Sequence, residues 1–562
     1  MTNRVLKFLN REFKGINEAA LLLGGFAFLS QILGLIRDRM LAQIVGVGET
    51  LDVYYAAFRI PDFLYISIAS LASVTVLMPF LIEKIGYGGN NIEAKKFLNN
   101  IFTAYVVFMV GISLIIFLLM PYLANIIAPG FNDVQIKMLI NISRIMLLSP
   151  IFIGLSNLIG TVTQIFKNFL VFSLSPVFYN LGIILGIIFL YRFLGIYGLG
   201  IGVIVGAFLH FIIQVPVVLK HGFFPRFISN IDWKEVLKVV KTSLPRTLTL
   251  SSNSLAFLVL IAIASSFEKG AISLFTFSYN LQSVPVGIIG ISYSVAAFPI
   301  LVKSFSIKDM DNFIKHIIIA SKQIIFWSLP VMFLFIVLRA QIVRVVLGTN
   351  SFSWADTRLT SASVAIFVIS LITQSLVLLF VRGYYATGNT KKPLFINMFS
   401  SLIIIIFAYF LMWLFSSNPY LLEVLENLLR VENVSGTIMF ILPISYVLGS
   451  IINLILIWIS FKKDFLKDYN FKVISKTFFD SLLGSIVIGV VSYLSLGIFD
   501  DIFDVTTGYG IFLQGFVSGS IGILYGIFVL YLIKNREIRD LFVAIKNKFW
   551  KNRIVAPEQI DL

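Results

Sequence analysis

About fourteen stretches of this chain are long and apolar enough to cross a bilayer, which restricts its fold more than any other feature. They lie near 19–44, 52–82, 98–127, 134–165, 169–191, 196–219, 236–265, 270–302, 312–338, 358–386, 393–416, 437–461, 475–499 and 508–533. Within hydrocarbon every backbone N–H and C=O must be satisfied inside the protein, so such runs fold as helices. A transmembrane barrel would instead show short alternating segments, and these do not dominate. A mean hydropathy of +0.95 and a charged share of 13% exclude a soluble domain. The expected class is an all-α polytopic membrane protein with about 14 transmembrane helices. With Cys 0, disulfides, thiolate metal sites and cysteine nucleophiles are excluded.

The formal charge of +16 could suggest nucleic acid, but its distribution fits cytoplasmic loops instead. With both ends inside, the inner connections hold Lys84, Lys95, Lys96, Lys220, Arg226, Lys303, Lys391, Lys392, Lys462 and Lys463. The outer ones are richer in acid, as at Glu423, Glu426, Glu432, Asp500, Asp501 and Asp504. This positive-inside pattern places both termini in the cytoplasm. Residues 1–16 alternate apolar and basic residues, as an interfacial segment would, and read as an uncleaved anchor. Segments two and eight end alike, with Pro79 and Pro299 each about one turn before a lysine, Lys84 or Lys303. That suggests a six-plus-six repeat: an N-lobe at 17–220, a C-lobe at 221–465, two appended spans at 466–535 and a basic tail at 536–562.

Charge is concentrated in the stretch from Ser30 to Pro61, between two apolar segments, as Arg37, Asp38, Arg39, Asp52 and Arg59. Ionisable groups at membrane depth face a protein interior or a wet cavity unless they snorkel to the headgroups. Seven residues separate Asp52 from Arg59, which puts them on one helix face. Arg144, about 15 Å into its span at the helical rise, and Arg246, beside Pro245, are further intramembrane cations. Lys322 lies near mid-span and Arg382 about a turn from an inner end. Buried acids are few, so this surplus of cations asks for an anion such as a phosphate or pyrophosphate.

Enzymatic features are sparse. His210, His221 and His316 have no metal-ligand spacing, and there is no phosphate-cradling GxxxxGK[ST] sequence. Asp500 and Asp501 fit a lipid-linked glycosyltransferase loosely and a solvated acidic loop better. Ser251, Ser252, Asn253 and Ser254 suit either ion coordination or hydrogen bonding between helices.

SQILGLIRDRMLAQIVG followed by LDVYYAAFRIPDFL resembles the opening of the MurJ (MviN) lipid II flippase family of the MOP transporter superfamily. SPVFYNLGIILG, QSVPVGIIGISYSVAAFPILVKSF and RGYYATGNTKKP resemble later elements of it, and the resemblance covers residues about 17–460. It implies two six-helix lobes around a central cavity, with two further spans forming a groove for a lipid tail. It implies alternating access that carries an undecaprenyl-pyrophosphate-linked peptidoglycan precursor between leaflets, with no enzymatic step. The family's cavity positions fall on Arg37, Asp38, Asp52 and Arg59. Other family positions fall on Gln31, Tyr65, Ile66, Ser70 and Asn280, where cations or an acid are usual. The cavity arginine set is therefore divergent, with Arg144 and Arg246 as candidate replacements; Arg382 is a further candidate substrate contact for which snorkelling is an equal alternative.

No cofactor is expected, and the energy source is left among membrane potential, a monovalent cation gradient and consumption of product. The expected partners are the lipid-linked anionic substrate and membrane lipids, with no nucleic acid and a monomeric chain, in a bacterial cytoplasmic membrane. Rival readings are a flippase for an O-antigen or capsule unit, a MATE-like exporter and a scaffold without transport.

Overall fold

A computed structural model of the chain describes residues 16–68, 74–86, 91–466, 472–539 and 543. Every element among them is helical. Among the described residues eleven helices are long and apolar enough to cross a membrane, or twelve when the bent pair Trp354–Phe367 and Ser370–Ala386 is taken as one span. The expected first and second segments are absent from that tally. The first is the helix Ile16–Met40, which ends on Arg37 and Arg39 and runs into π-helical turns at Leu41–Val45. The second is in pieces: Glu49–Ala57, Arg59–Ser67 and Val74–Gly86. Pro61 lacks the N–H that the Ala57 carbonyl needs, and the helix is interrupted at Phe58.

Polar residues just outside the apolar runs start the helices. Asn132 and Gln135 form a reciprocal capping box, each side chain accepting from the other's backbone N–H at 2.9 and 2.8 Å. Asp232 caps Trp233–Ala264, Asp309 caps Met310–Val337, and Thr507 caps Gly508–Leu532.

The chain divides into two compact units. The first comprises Met1–Val284, Val346–Phe367 and Gly388–Leu456. One of its cores is built from Leu77, Leu81, Phe97, Leu98, Leu158 and Phe223. Phe169–Leu185 and Ile196–Ile212 approach through glycine. A methyl group on Gly182 would collide with Gly206, and one on Gly202 would press on Gly186. The second unit comprises Pro285–Val345, Val368–Thr387 and Ile457–Leu562. Its interior includes an aromatic cluster of Phe313, Phe380, Tyr384, Phe461 and Phe465. Pro79 and Pro299 each lie inside a helix, and each helix has its lysine, Lys84 or Lys303, in the last turn.

Candidate functional site

The charged stretch organises a polar cluster within the first unit. Ile16–Met40 packs against Phe169–Leu185, which brings Arg37 to Asn180. Arg37 donates from Nε and Nη2 to one oxygen of its neighbour Asp38, at 3.0 and 2.8 Å, and from Nη1 to Asn180 at 3.3 Å. Asn180 in turn donates to the hydroxyl and carbonyl oxygens of Ser30 at 3.1 and 3.2 Å. The second Asp38 oxygen accepts from Asn280 at 2.8 Å. Asp38 is thus buried and bonded at both oxygens, whereas the Arg37 side chain stays 22% exposed. Asn280 thus serves as an uncharged donor to this carboxylate.

Arg59 begins the second piece of the broken helix. Its Nε donates to the Tyr55 carbonyl at 3.1 Å, and its guanidinium lies 4.8 Å from the centre of the Phe257 ring. That ring belongs to an aromatic wall continued by Phe275, Tyr279, Phe367 and Tyr446. Among the described residues Arg59 has no carboxylate within ion-pair distance. Asp62 lies within electrostatic reach of both Arg59 and Arg37. The hydroxyl of Tyr55 is buried with no hydrogen-bond partner among the described residues. Donors with spare capacity therefore stand beside two arginines, an arrangement that favours an oxygen-rich anion.

Asp52 does different work. Its two oxygens accept from the N–H groups of Gly270 and Ser273 at 2.6 and 2.8 Å and from the Ser273 hydroxyl at 2.5 Å. It caps the helix Ala271–Pro285, and with 4% of its surface exposed it has little left to offer a ligand. Arg144 is also placed elsewhere. Its Nε donates to the Phe117 carbonyl at 3.0 Å, and its guanidinium lies 4.5 Å from the centre of that residue's ring. The backbone at Arg246 is helical, but its side chain lies outside the described residues, as does Ser70. Arg382 stands in Ser370–Ala386, in the second unit.

The ion-coordinating alternative for the seventh span finds ordinary helix bonding instead. Ser251 and Ser252 donate to the carbonyls of Thr247 and Leu248, and Asn253 accepts from Ser401. Among the described residues no three His, Asp or Glu side chains converge as a metal site would require. Sequence reasoning passed over Asn180 and Tyr55. Both stand in quoted motifs, but nothing local marks a partner 143 residues away or an orphaned hydroxyl.

Comparison with known proteins bears on the family and the fold. Residues 41–512 match the family model described as lipid II flippase MurJ. The "Probable lipid II flippase MurJ" of Rickettsia prowazekii (strain Madrid E) is 26% identical over 389 residues, 69% of this chain and 76% of that one. The "Lipid II flippase MurJ" of Burkholderia cenocepacia is 25% identical over 392 residues, 67% of this chain and 74% of that one. Among solved structures, a lipid II flippase MurJ in an inward closed conformation superimposes with a TM-score of 0.71 at 24% identity. It covers 93% of this chain and 100% of its own. An inward-facing MATE-family multidrug transporter of the MOP superfamily follows with a TM-score of 0.61 at 13% identity, covering 78% and 96%. These two likenesses concern the fold alone, whereas the family model spans most of the sequence. This chain belongs to the lipid II flippase MurJ family.

Proposed function

We propose that this chain moves lipid II, a polyprenyl-pyrophosphate-linked peptidoglycan precursor, from the inner to the outer leaflet of a bacterial cytoplasmic membrane. The observation that carries the reading is Arg59: a cation in the broken second apolar segment, held by a carbonyl and a ring instead of an acid. Its forked N–H donors, the Arg37 side chain and the unpaired Tyr55 hydroxyl supply what a pyrophosphate accepts. Asn180 and Asp38, the latter bonded in turn by Asn280, hold Arg37 in position, while the polyprenyl tail stays in lipid. Arg246 is a further candidate cation in the same reading.

Transport requires no covalent chemistry. The headgroup crosses while the lobes 17–220 and 221–465 alternate access, with both termini in the cytoplasm and the chain acting as a monomer. Broken and proline-containing helices, such as the pieces around Phe58 and Pro79, supply bending points. The drive comes from the membrane potential, an ion gradient or removal of product outside.

The test is replacement of the essential lipid II flippase in a bacterium depleted of its own copy. Wild-type chain restores growth, and a variant with Arg37→Ala and Arg59→Ala at equal membrane level does not. Failure of the wild-type chain despite correct insertion redirects the reading to another polyprenyl-linked glycan.

A further inference from the structure

A second cationic site lies apart from the Arg37 cluster, in the first unit. A cavity of about 430 Å³ is lined by Lys95, Asn99 and Arg226 and, on its apolar side, by Leu98, Leu219 and Phe224. It forms where the chain leaves Val215–Lys220 and turns back along the start of Asn91–Ile127. Gly222 makes that turn with φ +68°, in the left-handed region that glycine enters without a Cβ penalty.

The returning segment is clipped to the long helix by side chains. The N–H of Arg226 donates to Asn99 Oδ1 at 2.7 Å, and that of Ile228 to Thr103 Oγ1 at 3.1 Å. Asn100 exchanges two bonds with the backbone of Asp232, at 2.9 and 3.1 Å. The wall is therefore built before any ligand arrives.

Its chemistry is that of a donor. The Arg226 N–H fixes the Asn99 amide through its oxygen, which leaves its N–H2 group as a donor for a guest. Lys95 lies 5.4 Å from the centre of the Phe223 ring. Neither Lys95 nor Arg226 has an ion-pair carboxylate among the described residues, and the nearby Glu235 is taken by Lys84 at 2.8 Å. Two cations and an amide beside an apolar wall select an anion with an apolar body.

The position fits a membrane surface. Asn91–Ile127 has 37 residues. That is about 55 Å of helix, which exceeds a hydrocarbon core of about 30 Å, and the charged first turns, with Glu93, Lys95 and Lys96, suit the headgroup layer. Leu219 and Phe227 are 56% and 66% exposed beside the cations, as interfacial residues are.

We propose that this pocket binds the phosphate group of an anionic membrane phospholipid, with Lys95, Arg226 and Asn99 as donors and the apolar wall against its glycerol and acyl chains. The test titrates the full-length protein in detergent with phosphatidylglycerol, with zwitterionic phosphatidylcholine and with inorganic phosphate, read by native mass spectrometry. The expected result is one retained phosphatidylglycerol, bound about 30-fold more weakly by a Lys95→Gln, Arg226→Gln double variant. Lys95→Arg retains binding, and Lys96→Gln, outside the lining, leaves it unchanged. The lipid-free melting midpoints of all variants match wild type, because no ion pair is broken. Equal binding of phosphatidylcholine, or wild-type affinity in the double variant, overturns the proposal. Saturation by inorganic phosphate at the same concentration assigns the pocket to a soluble phosphate and overturns its lipid part.

Discussion

Arg59 and Lys322 are both cations within apolar stretches of the sequence, yet their surroundings differ in kind. Lys322, in the second unit, meets Glu537 at 2.6 Å, and the Thr477 hydroxyl donates to the same carboxylate oxygen at 3.2 Å. The Lys322 and Glu537 side chains are only 15% and 5% exposed, so the pair is closed. Arg59, in the first unit, gives one N–H to a carbonyl and faces a ring, which leaves part of its fork unspent. A buried cation satisfied by an acid is a strut between helices. One held by weaker acceptors keeps capacity for a charged guest.

Substitution separates the two roles. The largest effect is expected at Arg59. Arg59→Ala lowers transport at least about 30-fold, the cost of removing one partner from a buried charge contact. Protein yield and melting midpoint stay at wild-type values. Arg59→Lys keeps the charge without the planar fork and recovers only part of the rate.

At Lys322 the loss is in stability instead. Lys322→Met leaves Glu537 buried without its partner and costs about 3–5 kcal/mol. Adding Glu537→Leu restores most of it, and transport per folded molecule is unchanged in both. Chemical denaturation in detergent, run beside the transport assay, checks this separation.

A smaller signature of the same pair is its acid limb. Burial pushes the Glu537 carboxyl up, but its bonds to Lys322 and Thr477 outweigh this and hold it below its ordinary value. A group whose pKa is depressed on folding adds stability above its unfolded pKa and loses it as pH falls through the folded one. Melting midpoints are therefore expected to drop below about pH 4.3, the unperturbed glutamate value. This contribution disappears in the Lys322→Met, Glu537→Leu protein. The smallest effect is expected at Arg144, where Arg144→Ala removes one bond to the Phe117 carbonyl, about 1 kcal/mol, and leaves transport intact.

The same contrast explains what the sequence could and could not disclose. Apolar runs declare spanning helices because length and hydropathy are local properties, and the motifs around Arg37, Asp38 and Arg59 announced the family. What each charge does depends on partners far along the chain. Asp52 looked like a cavity acid and is a cap for a helix beginning more than 200 residues later. Arg144 looked deep enough to need an anion and finds a backbone carbonyl 27 residues away. Lys322 showed no nearby acid because its partner follows the last spanning helix. Asn280 stood as a departure from the family pattern, but it still reaches Asp38 as an uncharged donor.

The most direct measurement reconstitutes the purified chain into vesicles carrying labelled lipid II and adds an external hydrolase that reaches only the outer leaflet. Wild-type protein should render the inner-leaflet fraction cleavable, while the Arg37→Ala, Arg59→Ala protein leaves that fraction protected. Equal cleavage with both proteins, or protection with wild type while a different polyprenyl-linked glycan is moved, would contradict lipid II transport through an arginine-held pyrophosphate.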